Sequence, residues 1–122
     1  MTIQERFSAA GAVALGARVA VYVPGTCGVD TNDNALADRM TASTAAALSE
    51  MFGGATATDA AGYWVSDAVG LVREAVRIVY SNTTRDELDR RGADVLALAE
   101  RIKREMAQEA VSVEIDGALY LV

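Results

Sequence analysis

Few residues in this 122-residue chain are able to do covalent or metal chemistry, so their spacing can be tested quickly. Histidine is absent, Cys27 is the one cysteine and Lys103 the one lysine. A Ser-His triad, a Cys-His dyad and the usual zinc sites therefore each lack a member. Cys27 lies in Pro24-Gly25-Thr26-Cys27-Gly28, just ahead of a helical pattern, where a helix N-terminus can activate a thiol. With no base beside it, Cys27 reads first as a small buried thiol, and an enzyme built on it is the weakest of the functional classes. The same five residues are not a phosphate-binding P-loop, since the lysine and the spacing are missing. Asp30 and Asp33 read first as turn residues and only then as an acid-base pair or a magnesium site. The sequence thus assigns no catalytic residue, no metal and no cofactor.

Binding is better served. Two polar stretches each precede a helical pattern: Thr26, Cys27, Thr31, Asn32 and Asn34 in the first, Ser81, Asn82 and Thr83 in the second. Hydroxyls, amides and unpaired backbone N–H groups at helix starts suit a phosphate or carboxylate. Reading the strands before them as parallel neighbours brings both stretches to one sheet edge, where a small anionic, nucleotide-like ligand would sit. The same residue types also serve as plain helix caps. Arg73 and Arg77 offer a second place for an anion.

The elements that must position these residues follow from periodicity. Gly62 to Asn82 reads as a β-hairpin, with Tyr63-Trp64-Val65 ending one strand, Ser66 to Gly70 turning, and Leu71 to Tyr80 returning as the longest β-branched run. Before it, Arg18 to Val23 alternates as a strand, and Asp33 to Phe52 carries Leu36, Met40, Ala47, Leu48 and Met51 at helical spacing up to Gly53-Gly54. After it, Thr84-Arg85-Asp86-Glu87 is a capping box opening a helix with Leu88, Val95, Ala99, Ile102 and Met106 on one stripe. Asp116-Gly117 between Val111–Ile115 and Ala118–Val122 marks a two-residue hairpin turn.

That order predicts an α+β fold: a ferredoxin-like split βαββαβ sandwich spanning 18–122, with an extra C-terminal hairpin strand and an N-terminal helical segment over 1–17. The expected core face holds Val19, Val21, Val23, Val76, Ile78, Tyr80, Val111, Val113, Ile115, Ala118, Tyr120 and Val122. The other face would then carry Tyr22, Leu71, Ala75, Val79, Leu119 and Leu121 among Arg73, Arg77, Ser112 and Glu114. A sheet face this apolar predicts a cover, and a homodimer through Tyr22, Val79, Leu119 and Leu121 is expected, with residues 1–17 as the other cover considered.

Composition sets limits on partners. The net charge of −6 opposes nucleic acid and anionic lipid, though acidic mimicry of nucleic acid stays open. An RNA-recognition sheet is disfavoured for lack of an aromatic pair on adjacent strands. A lone cysteine suits a reducing cytoplasm, the Phe7–Ala17 run is too short and weakly apolar for a signal peptide, and no run approaches the roughly 20 apolar residues of a membrane span.

The segments VYVPGT, GGATATDAAGYWVSDAVGLVREAVRIVYSNT and QEAVSVEIDGALYLV resemble signature segments of a group of small uncharacterised proteins of bacteria, plasmids and phages with a ferredoxin-like α+β pattern. The resemblance covers about Arg18 to Val122 and brings no active site with it. It implies an accessory role on a phage or other mobile element, such as inhibiting a host system by binding a protein or sequestering a nucleotide signal. The expectation is accordingly a non-enzymatic cytoplasmic protein that binds a small anionic ligand. The alternative is an interaction or inhibitor module whose acidic surface docks a basic host protein.

Overall fold

The Asp33 carboxylate accepts from Leu36 N at 2.9 Å and so opens α2 (Asn34–Phe52), which Gly53 closes in the left-handed conformation at φ 92°. The structure, a computed structural model, describes residues 1–28 and 31–122, with the backbone alone for Thr31. Ahead of α2 come α1 (Ile3–Ala9), β1 (Ala17–Pro24) and a small hairpin of β2 (Thr26–Cys27) and β3 (Thr31–Asn32). The long hairpin follows as β4 (Thr56–Ser66) and β5 (Gly70–Thr83), and the Ser66 hydroxyl fixes its turn by accepting from Ala68 N and Val69 N.

The expected capping box is present, with Thr84 Oγ1 accepting from Glu87 N at 3.2 Å. The helix it opens does not run through as the periodicity predicts. It divides at Arg91 into α3 (Arg85–Arg90) and α4 (Gly92–Glu105), where Gly92 weakens the helical interior. The chain ends in β6 (Ser112–Ile115) and β7 (Ala118–Leu121). Asp116 and Gly117, at φ 48° and 87°, make the predicted turn. Asp116 also accepts from Arg18 N at 2.7 Å and pairs with Arg85, tying the starts of β1 and α3 to the final hairpin.

The five long strands form one sheet in the order β4-β5-β1-β6-β7, antiparallel at every junction. Helices α2 and α4 cover one face, burying Ala37, Met40, Leu48, Leu98, Ala99 and Ile102 against Val19, Val21, Val23, Val79, Val111 and Val113. The fold is therefore α+β, as expected.

The register of β5 corrects the expected core face. Val76, Ile78 and Tyr80 do not face the helices. Register pairs Val21 with Val79, Val19 with Ser81 and Val23 with Arg77, and residues directly opposite share a face. The helix side of β5 is thus the phase containing Arg77, Val79, Ser81 and Thr83, and Val79 is fully buried. A shift of one residue exchanges every side chain between faces. Alternation misled because both phases of this run are β-branched or aromatic in part, and the buried phase carries polar groups that find partners. Ser81 Oγ donates to Gly54 O at 2.6 Å, and Arg77 pairs with Asp38 and, at 3.6 Å, Asp59. Val79 and Arg77 consequently lie on the helix side, and Arg73, in the same phase, projects from the outer hairpin on the side away from Glu74. Residues 1–16 are all exposed, so the N-terminal segment covers neither face.

Candidate functional site

Another correction concerns the expected anion site. Because β1 and β5 run antiparallel, the segments that follow them leave from opposite ends of the sheet: Pro24 lies beside Val76, while Thr83 lies beside Ala17. Seven residues of strand, about 23 Å at ~3.3 Å per residue, keep them apart.

At one end, Thr26 is buried and its hydroxyl donates to Gly28 O at 3.1 Å, Cys27 is half-buried, and Asn32 and Asn34 are exposed. Gln108 Nε2 clamps that loop by donating to the carbonyls of Thr26 and Gly28, each at 3.0 Å. Asp30 and the Thr31 side chain lie outside the described residues. At the other end, Ser81 and Thr83 are buried on the helix side and Asn82 is exposed. Arg73 donates to the Tyr63 hydroxyl at 3.2 Å on the outer hairpin. The structure therefore brings Ser81 and Thr83 together with the core, and Thr26 and Cys27 with Gln108, but not the two groups with each other.

What the structure does assemble is a strip of charged and aromatic side chains on the face opposite the helices. Arg18, Ala20, Tyr22 and Pro24 of β1 lie there with Asn82, Tyr80, Ile78 and Val76 of β5, and further along with Glu74 and Val72. β4 adds Thr58, Ala60, Gly62 and Trp64, β6 adds Ser112 and Glu114, and β7 adds Leu119 and Leu121. Much of this face meets solvent, since Trp64 is 45% exposed, Leu119 55% and Leu121 70%.

A cleft of about 260 Å³ indents the strip, with Val76 and Ile78 as its floor and Tyr22, Ala60, Gly62, Glu74 and Ser112 around them. Gly62 stands directly opposite Glu74, where a Cβ would meet Glu74 Cγ at 3.5 Å and Oε1 at 3.8 Å. The missing side chain leaves the carboxylate bare on that side. Among the described residues Glu74 has no hydrogen bond or ion pair from a side chain, so its carboxylate is free towards the cleft. Beyond it, Trp64 and Val72 extend the apolar surface.

Tyr22 forms the other wall. Its hydroxyl donates to Glu114 Oε2 at 3.2 Å, and burial, followed by the hydrogen bond and charge of Glu114, raises the phenol above its ordinary value of 10.0, with Arg18 opposing. Arg18 lies over the Tyr80 ring at 3.8 Å, a cation–π contact. Folding therefore favours the protonated Tyr22. That contribution is complete below the unfolded-state value and is lost as pH rises through the folded-state one. The melting-temperature advantage of the wild type over Tyr22→Phe is expected to be constant up to about pH 10 and to shrink above it. An advantage unchanged to about pH 11 would contradict the Tyr22–Glu114 contact.

Sequence reasoning passed over Glu74, Gly62, Trp64 and Arg18. A signal was present: a single glycine inside a strand often marks close approach of a ligand or another backbone, and Gly62 pairs with the one carboxylate in the long β-branched run.

No protein-family model and no curated protein matches the chain. Among solved structures, a phage SAM lyase in complex with S-methyl-5′-thioadenosine aligns with a TM-score of 0.63 over 90% of this chain and 91% of the other, at 19% identity. A phage SAM lyase in the apo state aligns with a TM-score of 0.58 over 88% of each, at 16% identity. At these identities the likeness is one of fold. Both neighbours are enzymes, which overturns the expectation of a non-enzymatic binding protein, and the chain shares its fold with phage lyases.

Proposed function

We propose that this chain is a small phage-type lyase that binds S-adenosylmethionine on the open sheet face and releases S-methyl-5′-thioadenosine. The observation that carries the reading is Glu74: a carboxylate without a side-chain partner, bared by Gly62, beside an aromatic and apolar cleft in a fold shared with SAM lyases. A sulfonium is a fixed cation on an apolar frame, so it is recognised by a carboxylate together with aromatic faces. The anionic ligand expected from the polar loops gives way to a nucleoside with a positive centre, which also agrees with the net charge of −6.

The chemistry follows from the product. S-methyl-5′-thioadenosine is what remains when the bond from sulfur to the methionyl γ-carbon breaks, its electron pair going to sulfur and cancelling the positive charge. A lyase adds no water, so the γ-carbon receives electrons from within the substrate, either by loss of a β-proton or by attack of the substrate's own carboxylate. Glu74 would hold the sulfonium and ammonium end and accept the proton where one is released. With that end at Glu74, the adenosine would lie towards Trp64.

Incubating the protein with S-adenosylmethionine and separating the products by chromatography tests this reading. Enzyme-dependent S-methyl-5′-thioadenosine is the expected result, and its absence while the folded protein binds the thioether would overturn the lyase assignment.

The strand order supports reading the fold as a ferredoxin-like split βαβ sandwich with β7 added, and the phage neighbours support an accessory role on a phage. S-adenosylmethionine is a cytoplasmic metabolite, in keeping with the expected compartment, and among the described residues no helix is long and apolar enough to cross a membrane. The homodimer belongs to this reading in altered form: a second copy would cover Leu119 and Leu121 at the β7 edge, without Val79, and leave Tyr22 and Trp64 to the ligand. Leu119→Arg is expected to lower the mass seen by light scattering, and an unchanged mass would remove this face from the assembly.

A further inference from the structure

Residues 1–16 form a hook that none of the described residues of its own chain covers. α1 is finished at both ends. The Thr2 hydroxyl accepts from Glu5 N at 3.1 Å, and past the last turn Gly11, at φ 81°, reverses the chain so that Ala12 N donates to Phe7 O and Gly11 N to Ser8 O, each at 3.0 Å. These two bonds are a Schellman ending. The reversal gathers Ile3, Phe7 and Val13 around one apolar hollow, yet they remain 65%, 61% and 81% exposed. A helix of seven residues is far shorter than the ~12–15 that hold marginally in isolation. One that is capped twice and buries nothing lacks the surface that would stabilise it.

The domain has a vacant slot of the matching kind. Two helices cover the sheet, but the sheet has a fifth strand: β7 turns Tyr120 to the helix side, where it stays exposed among the described residues, while Val122, just past the strand, packs against the core. Beside them stand Leu88, Val95 and Leu96, completing a largely apolar groove of about 600 Å³. Leu96 and Tyr120 are exposed although both line it. The hook of the same chain does not fill it. β1 begins at the rim, where Arg18 N bonds to Asp116 and Asp116 pairs with Arg85 at the groove mouth, and residues 1–16 still remain exposed.

We propose that the N-terminal hook of a second copy of this chain occupies the groove between α4 and β7, with Ile3 and Phe7 packed on Leu96 and Tyr120. This goes beyond the catalytic reading, because the groove lies on the helix side and Glu74 on the other. Each copy then gives a hook and receives one, so association hides apolar surface that both elements otherwise leave in water.

The test uses the full chain with benzoylphenylalanine in place of Phe7. Natural-abundance and nitrogen-15-labelled copies are mixed, irradiated and read by peptide mass spectrometry. Cross-links from position 7 to residues 92–96 or 118–122 are expected, with isotopically mixed pairs as frequent as unmixed ones. Leu96→Glu, at a half-exposed position that leaves the fold intact by melting temperature, should lower their yield roughly tenfold, while Leu96→Met should preserve it. Isotopically pure cross-links would mean that the hook folds back on its own groove, and cross-links elsewhere or none would mean that the groove has another occupant. Either result overturns the proposal, and neither bears on turnover of S-adenosylmethionine.

Discussion

Glu74→Gln is expected to reduce kcat/KM for S-methyl-5′-thioadenosine release by roughly 10²-fold or more while leaving the melting temperature within a few degrees. The substitution keeps the size of the side chain and removes its charge. Since Glu74 makes no ion pair or side-chain hydrogen bond among the described residues, no folded-state partner is orphaned by the change. The loss should therefore appear in turnover and not in stability. Glu74→Asp, which retains the charge but withdraws it by one methylene, should fall between. Gly62→Leu, placing a bulky side chain over the carboxylate, should raise KM strongly. Full turnover by Glu74→Gln would leave the fold likeness standing and remove this cleft as the site.

The second large effect is on folding. Val79→Asp should abolish the cooperative thermal transition, because it buries a carboxylate at a fully buried position between β1 and the helix layer, with Val21 directly opposite. An unpaired buried charge costs several kcal/mol, a large part of the ~5–15 kcal/mol that holds a typical domain. Ile78→Thr, one residue earlier on the open face, should cost about 1 kcal/mol and keep the transition. Circular dichroism melts of the two variants read the register directly. A folded Val79→Asp with an unfolded Ile78→Thr would restore the phase expected from alternation.

That reversal of phase shows what was legible and why. Helix boundaries at Asp33, Gly53 and Thr84, and the Asp116-Gly117 turn, could be read because each depends on the chemistry of a few neighbouring residues. Val19, Val21 and Val23 could be read because Arg18 breaks the apolar pattern on the other side of β1. For β5 the deciding information lies elsewhere in the chain: the carbonyl of Gly54 that satisfies Ser81, and Asp38 and Asp59 that satisfy Arg77. Alternation carries no record of those partners. The candidate site was illegible for a related reason. Glu74 is marked by Gly62, and their pairing depends on the register of the whole hairpin. The antiparallel order of β1 and β5, which separates the two polar loops, likewise belongs to topology and not to any local pattern.

The long hairpin outruns the sheet that supports it. β1 ends at Pro24 beside Val76, and Gly25 N adds one last bond to Ala75 O, so among the described residues β5 pairs with β4 alone from Glu74 to the turn. A two-stranded ribbon is marginal by itself and opens at far lower free energy than the body of a domain. Backbone amides of 63–73 should therefore exchange with deuterium much sooner than those of β1. Glu74 stands where the ribbon leaves the body. On heating, fraying that travels down the ribbon would displace this carboxylate while the core is still intact, so inactivation should precede the main unfolding transition and reverse on cooling.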